Sequence, residues 1–258
     1  MNSFFKDGQR TTVSLILAIL SSLTLTGCKT TPQTTEQSNL STAIKATRPL
    51  AYYRLESSKG SSEVGATTYE FTGGATTSTP GPSINIAGNH FALLNGKDAW
   101  IQTTQKGGID KAASILAWVN LVALPSVDGR IRYVAGESQN GNDLDLQFEG
   151  DNTVKFYTSA GSHVTYTPDP NTLVNQWHMI VATMDATAPN KALYWDGQPV
   201  ANDQVANTAQ KTGQFTIGES PVFTGRFFNG GIDEVAIWDR ALSPADVAAI
   251  YKAATAKP

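Results

Sequence analysis

Seven consecutive residues, Asp143-Leu144-Asp145-Leu146-Gln147-Phe148-Glu149, put a carboxylate or carboxamide at every second position. In an extended strand successive side chains point to opposite faces. Asp143, Asp145, Gln147 and Glu149 would then share one face, with Leu144, Leu146 and Phe148 on the other. Carboxyl groups arranged on one surface can cleave glycosidic bonds, and retaining hydrolysis needs two of them about 5–5.5 Å apart. Gln147 cannot titrate, so the face reads as a polar surface rather than a catalytic one. No nucleophile elbow, phosphate-cradling glycine loop or paired metal-binding His offers a different chemistry. The three His stand apart at 90, 163 and 178. His178 follows Trp177 and His163 lies in a Gly/Ser loop, and neither suggests zinc.

The composition narrows what could position these groups. The chain has 258 residues, with 19 Lys+Arg against 22 Asp+Glu and a single Cys. A slightly acidic balance lacks the basic field that supplies nucleic-acid affinity. One Cys excludes an internal disulfide framework and a Cys-based zinc cluster. Lys6 and Arg10 precede an apolar run from Val13 to Leu20, which marks residues 1–27 as an export signal too short to span a membrane. Residues 28–47 are rich in Thr, Ser and Gln and are expected to form a flexible tether, with a reach of about 25 Å. Residues 48–258 are expected to form one all-β domain, an antiparallel two-sheet jelly-roll sandwich with a short C-terminal helix. Short runs such as Ser114–Val122, Trp177–Thr183, Gln214–Ile217 and Val235–Trp238 are β-branched and aromatic, and turn residues separate them. Asp196-Gly197 fits a two-residue hairpin. Ser243, Pro244 and Asp246 mark a helix start, with Val247, Ile250 and Tyr251 on one stripe.

Several segments, taken in order, carry a family resemblance: Leu50-Ala51-Tyr52-Tyr53-Arg54-Leu55, Ile115-Leu116-Ala117-Trp118-Val119, Leu193-Tyr194-Trp195-Asp196-Gly197, Phe215-Thr216-Ile217-Gly218 and, most specifically, the stretch from Phe228 through Gly231-Ile232-Asp233-Glu234-Val235 to Ser243. The set resembles the laminin-G-like jelly roll of the concanavalin A-like lectin/glucanase superfamily. That resemblance implies two curved sheets, often a structural calcium ion, and a binding role for glycans or proteins. The superfamily's laminarinase-type glycosidases carry two Glu separated by an Asp on one strand. Neither register of the Asp143–Glu149 stretch reproduces that triple, which argues against an enzyme.

Leu25-Thr26-Gly27-Cys28 resembles the lipobox of bacterial lipoproteins, in which the Cys receives a diacylglyceryl group and becomes the new N-terminus. Acyl chains there would hold the protein on a membrane surface without spanning it. Lys29 after the Cys resembles outer-membrane sorting in a two-membrane cell. One structural calcium ion is expected at Asp233. Alternation places Asp233 beside Val235 and Ile237 at the rim of the core, and in the resembling family the terminal strands lie close, which would bring Glu56 near. The alternative is that Asp233 caps a turn and Glu56 is solvated. For ligand contact, Tyr157 and Trp195 are the first aromatic candidates, with Asp143 and Asp145 as polar partners. The function expected is glycan recognition by a lipid-anchored envelope protein. A protein-interaction or structural envelope module is the alternative, and a divergent glycosidase a weaker one.

Overall fold

The computed structural model describes residues 35–82, 88–107, 109, 111–139, 144–159, 162–188, 190–204 and 213–256. In chain order its elements are α1 (Thr35–Ala46), β1 (Ala51–Tyr53), β2 (Lys59–Ser61), β3 (Thr68–Thr72), β4 (Thr76–Ser78), β5 (Phe91–Asn95), β6 (Trp100–Lys106), β7 (Ala112–Leu121), β8 (Arg132–Glu137), β9 (Leu144–Phe148), β10 (Val154–Ser159), β11 (Ser162–Tyr166), β12 (His178–Asp185), β13 (Asn190–Trp195), β14 (Gln198–Asp203), β15 (Gln214–Ile217), β16 (Asn229–Trp238) and α2 (Pro244–Thr255). The strands form two eight-stranded sheets. The first runs β14-β13-β12-β7-β16-β5-β4, with β1 added on β16, and the second runs β11-β10-β9-β8-β15-β6-β3-β2. All these pairings are antiparallel. This is the jelly-roll sandwich the sequence predicts.

The central strand β7 explains the apolar runs. Ile115, Ala117 and Val119 enter the core between the sheets, while Leu116 and Trp118 point outward into a second apolar layer. In β16, Val235 and Ile237 join the first layer, and Ala236 and Trp238 the second. An apolar outer face must be covered, and here two helices cover it. α2 starts as expected, with Ser243 as N-cap and a reciprocal capping box to Asp246. It buries Val247 and Ile250, and its Tyr251 ring stacks on Trp118 at 6.0 Å between centroids.

α1 is the second cover, and it corrects the expectation of a tether over residues 28–47. From Thr35 onward the chain is helical, and Leu40 and Ile44, one turn apart, are fully buried in the outer apolar layer. The Trp238 indole donates to Thr47 Oγ1 at 3.1 Å, and Arg240 donates to the Thr47 carbonyl at 3.0 Å, which locks the helix end. A segment with so few apolar residues is marginal as a helix alone, but the apolar sheet face supplies the surface it needs. Residues 1–34, including Cys28 and the export signal, lie outside the described residues.

The Asp196-Gly197 hairpin joins β13 and β14 as expected, with both residues at positive φ (48° and 79°). A Cβ on Gly197 would lie 2.8 Å from Tyr251 Cβ, so glycine also lets α2 pack close.

Candidate functional site

The outer face of the second sheet is polar where that of the first is apolar. On β9, Leu144, Leu146 and Phe148 enter the core, and Asp145 and Gln147 point outward. The ladder continues this face sideways: Asp145 pairs with Gly136 on β8 and Tyr157 on β10, and Tyr157 pairs with His163 on β11. A kink in β8 between Tyr133 and Ala135 aims the Tyr133 hydroxyl at Asp145 Oδ1, 2.8 Å away, and Ser138 Oγ donates to Oδ2. A Cβ on Gly136 would meet the Leu144 carbonyl at 2.1 Å and the Tyr133 hydroxyl at 2.7 Å, so only glycine leaves room for this bond. Burial and the Asp145 charge push the Tyr133 phenol well above its ordinary value.

Further out on the same face, Glu149, Lys155 and Tyr157 become partly accessible, while Gln147 stays buried. Glu149 Oε1 accepts from Gln147 Nε2 at 2.9 Å and from the Tyr157 hydroxyl at 3.2 Å, with Lys155 Nζ at 3.8 Å. Arg226 Nη1 donates to Gln147 Oε1 at 3.1 Å. Burial first, then the Glu149 charge, pushes the half-buried Tyr157 phenol up to about 12. Its ring lies 5.0 Å from His163. Arg226 sits on the loop between β15 and β16, which is tied to β8 by hydrogen bonds from Gly218 N to the Val134 carbonyl and from Tyr133 N to the Arg226 carbonyl. The Arg226 guanidinium lies 4.2 Å from the centroid of the Phe223 ring, which is 41% exposed. The arrangement offers rings, a guanidinium and a carboxylate above a hydrogen-bonded polar floor.

The expected ligand residues divide accordingly. Tyr157 and Asp145 are cross-strand neighbours on this face, but Asp145 is only 2% exposed and both of its oxygens are taken. It braces the floor rather than meeting solvent. Asp143 lies outside the described residues. Trp195 is corrected: it packs in the core against Phe148, Tyr166 and His178, because its β12 partner Ile180 faces inward. His178 bonds Asp196 Oδ2 at 2.7 Å and the Thr172 carbonyl at 2.8 Å. Strand alternation places Glu149 on the outer face, whereas nothing in the sequence marks Arg226 or Phe223.

The Asp233 region is a second cluster. A bulge in β16 between Asp233 and Ala236, with Glu234 at φ 53°, inserts a residue into the ladder. Ile232 and Val235 therefore both face the core, and Asp233 leaves the face it was expected to share with Val235 and Ile237. It is fully buried all the same. Its Oδ2 accepts from Asn89 Nδ2 at 3.1 Å, and its Oδ1 has no donor among the described residues. Burial, then the charges of Glu234 and Glu56, push its carboxyl well above the usual range. Burial pushes the adjacent Glu234 up to about 7, against the opposing pull of the Tyr52 hydroxyl and Arg54. Glu56 does lie nearby, accepting from His90 N at 3.0 Å and pairing with Arg54. An orphaned buried carboxylate oxygen suits a cation or a proton. Among the described residues no three His, Cys, Asp or Glu side chains converge as metal ligands. A cation would therefore take Asp233 Oδ1 together with main-chain or amide oxygens.

Solved structures with this fold include the binding domain of botulinum neurotoxin serotype G, at 14% identity and TM-score 0.58 over 79% of this chain and 50% of that one. They also include the ligand binding domain of botulinum neurotoxin serotype D, solved in complex with N-acetylneuraminic acid, at 10% identity and TM-score 0.62 over 81% and 52%. The chain spans about half the length of these neighbours, and the likeness is one of fold. No curated protein matches the chain significantly. A laminin-G model described as the concanavalin A-like lectin/glucanases superfamily matches residues 95–248, which runs from the end of β5 into α2. With both sheets, their order and the terminal helix in place, the chain belongs to the concanavalin A-like lectin/glucanase superfamily.

Proposed function

We propose that the protein is a carbohydrate-binding module, held on a membrane by lipid at Cys28, whose ligand lies on the outer face of the second sheet. The half-exposed Tyr157 ring, set above the Glu149, Gln147 and Asp145 floor and opposite the Arg226–Phe223 pair, is the observation that carries this reading. Sugar rings stack on aromatic faces while carboxylates, amides and guanidinium groups take their hydroxyls. Structural neighbours solved in complex with N-acetylneuraminic acid and with SialylT support a glycan as the partner. Binding without hydrolysis is the better reading. Asp145 has both oxygens engaged in a buried site, Gln147 cannot carry a proton, and Glu149 is committed to Gln147 and Tyr157. Hydrolysis would require two accessible carboxyls flanking the scissile bond. The lipobox-like stretch supports anchoring. A calcium ion at Asp233 belongs to this proposal as a structural group.

A glycan-array screen of the soluble domain beginning before α1, with calcium and with chelator, tests the binding role. Specific binding that disappears in Tyr157→Ala and Arg226→Ala supports it. An array with no binder would favour the protein-interaction reading. Membrane fractionation of Cys28→Ser tests the anchor, and unchanged membrane partition would overturn it.

A further inference from the structure

The second sheet's outer face carries another concavity, at the opposite end from Tyr157. A pocket of about 460 Å³ opens on β2, β3 and β6, within the size range of small-ligand sites. The register organises its lining in two rows. Lys59, Glu70 and Gln102 are successive cross-strand neighbours and form a row of long polar side chains. Ser61 and Thr68 pair in the next row, where Thr104 Oγ1 accepts from Thr68 N at 2.8 Å, so small hydroxyl residues leave the depression. Gly60, Tyr69 and Thr103 form the floor, the latter two with side chains buried toward the core. Among the described residues no hydrogen-bond or ion-pair partner takes up the side chains of Lys59, Glu70 or Gln102. Trp100 stands on the same face, paired with Thr72 and one step along from the Gln102–Glu70 pair, a spacing of about 7 Å. It is half-buried, and neither core cluster includes it.

We propose that this pocket is a second sugar site, taking one uncharged pyranose unit. Glu70 accepts from ring hydroxyls, Gln102 accepts and donates, and Lys59 donates from the far side; Trp100, which is outside the pocket lining and one residue pair further along the same face, meets the next sugar unit of a chain. Lys59 and Glu70 offset each other's charge, so the pocket has no preference for an ionised sugar. It is separate from the Tyr157 site. Four strand spacings lie between β10 and β6, about 19 Å, and the residues in between, Asp145 and Thr216, are buried. One polysaccharide could engage both sites, and linked contacts of this kind raise avidity without any new contact. The inference rests on the reading of this sheet face as sugar-binding, and the test separates the two.

Backbone amide and indole NMR shifts would be followed in the soluble domain as neutral hexaoses of glucose, mannose and galactose are added, in wild type, Tyr157→Ala, Gln102→Ala, Glu70→Gln and Trp100→Ala. The expected result is a shift set at Ser61, Thr68, Glu70, Gln102 and the Trp100 indole. It should persist in Tyr157→Ala and weaken about tenfold or more in Gln102→Ala and Glu70→Gln, exposed substitutions that leave the fold intact. Shifts confined to the Tyr157 region and lost in Tyr157→Ala would overturn the pocket proposal while upholding the face as sugar-binding. Absence of shifts with all three hexaoses would overturn the pocket proposal, and the glycan array, which includes charged sugars, judges the Tyr157 site independently.

Discussion

The two sheets present opposite outer faces to the world. Outside the first sheet, Tyr52, Leu116, Trp118, Val181 and Trp238 form an apolar layer that α1 and α2 seal. Outside the second, Lys59, Glu70, Gln102, Lys155 and Tyr157 stand without a covering helix among the described residues. The difference has a direct energetic cause. Burying an apolar side chain of Trp or Leu size is worth about 1.5–3 kcal/mol, so an apolar face recruits chain to cover it. A polar face is already solvated and gains little from a cover. A ligand on the first sheet would have to displace two docked helices, whereas one on the second displaces water. The molecule thereby seals one face and leaves the other open to a ligand.

Substitutions on the sealed face have the largest expected effect. Trp238→Ala should cost about 3–5 kcal/mol and Ile44→Ala about 2–5 kcal/mol in denaturant unfolding, since both are fully buried. Lys155→Ala, half-exposed on the other face, should stay within about 0.5 kcal/mol. A neutral Ile44→Ala would mean that α1 does not dock, leaving the apolar face open to partners and ending the contrast.

The Asp233 cluster comes next in size. If calcium satisfies Asp233 Oδ1, stability should rise by about 2.7 kcal/mol at a hundredfold excess over Kd, and Asp233→Asn should lose most of that rise. In chelator the sign reverses. The raised carboxyl pKa means that the ionised group weighs against the fold, so Asp233→Asn should melt at or above the wild-type temperature. Thermal unfolding of both proteins in calcium and in chelator decides the matter. A variant that melts lower than wild type equally in both conditions would show a neutral hydrogen-bonding role instead.

His178 gives a smaller, pH-dependent effect in the first sheet. Its two ring nitrogens face a carboxylate and a carbonyl, both acceptors, so the doubly protonated ring suits the site. Burial lowers its pKa, but Asp196 and the Thr172 carbonyl outweigh that and leave it raised above 6.5. A raised folded value makes its stabilisation complete below about pH 6.5 and lost as pH rises through the folded pKa. Melting temperature should therefore fall across that window in wild type and flatten in Asp196→Asn, which itself removes a charge-assisted bond worth about 1.5–3 kcal/mol. A wild-type profile already flat from pH 6 to 8 would refute this.

Much of this division is legible in residue patterns, and the failures have identifiable causes. β15 runs from Gln214 to Ile217 as read, and the α2 cap at Ser243 forms as read, because both depend on local chemistry. α1 escapes because its apolar content is low and its stability comes from a sheet face assembled out of distant strands. The short strands β2 and β4 have almost no apolar residues and exist only through their neighbours. Alternation correctly puts Asp145, Gln147 and Glu149 outside, but depth below the surface depends on the 218–228 loop, which no periodicity reveals. At Asp233 alternation itself fails, since a bulge breaks the ladder on which it rests. Trp195, expected at the ligand, faces inward through its pairing with Ile180, a distinction that requires the register.

The finest test of the contrast lies in the Tyr157 phenol. Tyr157→Phe should change stability by no more than about 0.5 kcal/mol, since the ring stays and only a partly exposed hydroxyl is lost. The largest causes that raise its pKa to about 12 are burial first and the Glu149 charge second. Glu149→Gln removes the second cause and leaves the first, so the value should fall part of the way and remain above 10. Carbon-13 NMR at the tyrosine ring, with Tyr157→Phe to identify the resonance, reads this directly. A pKa unmoved by Glu149→Gln would mean that ring and carboxylate are not held together in solution. The recognition face would then be a collection of mobile side chains, and a ligand would have to order them on arrival, at about 0.5–1.5 kcal/mol for each one immobilised. A part-way fall shows instead that the polar floor is set before any sugar arrives, as the buried Asp145 beneath it already is.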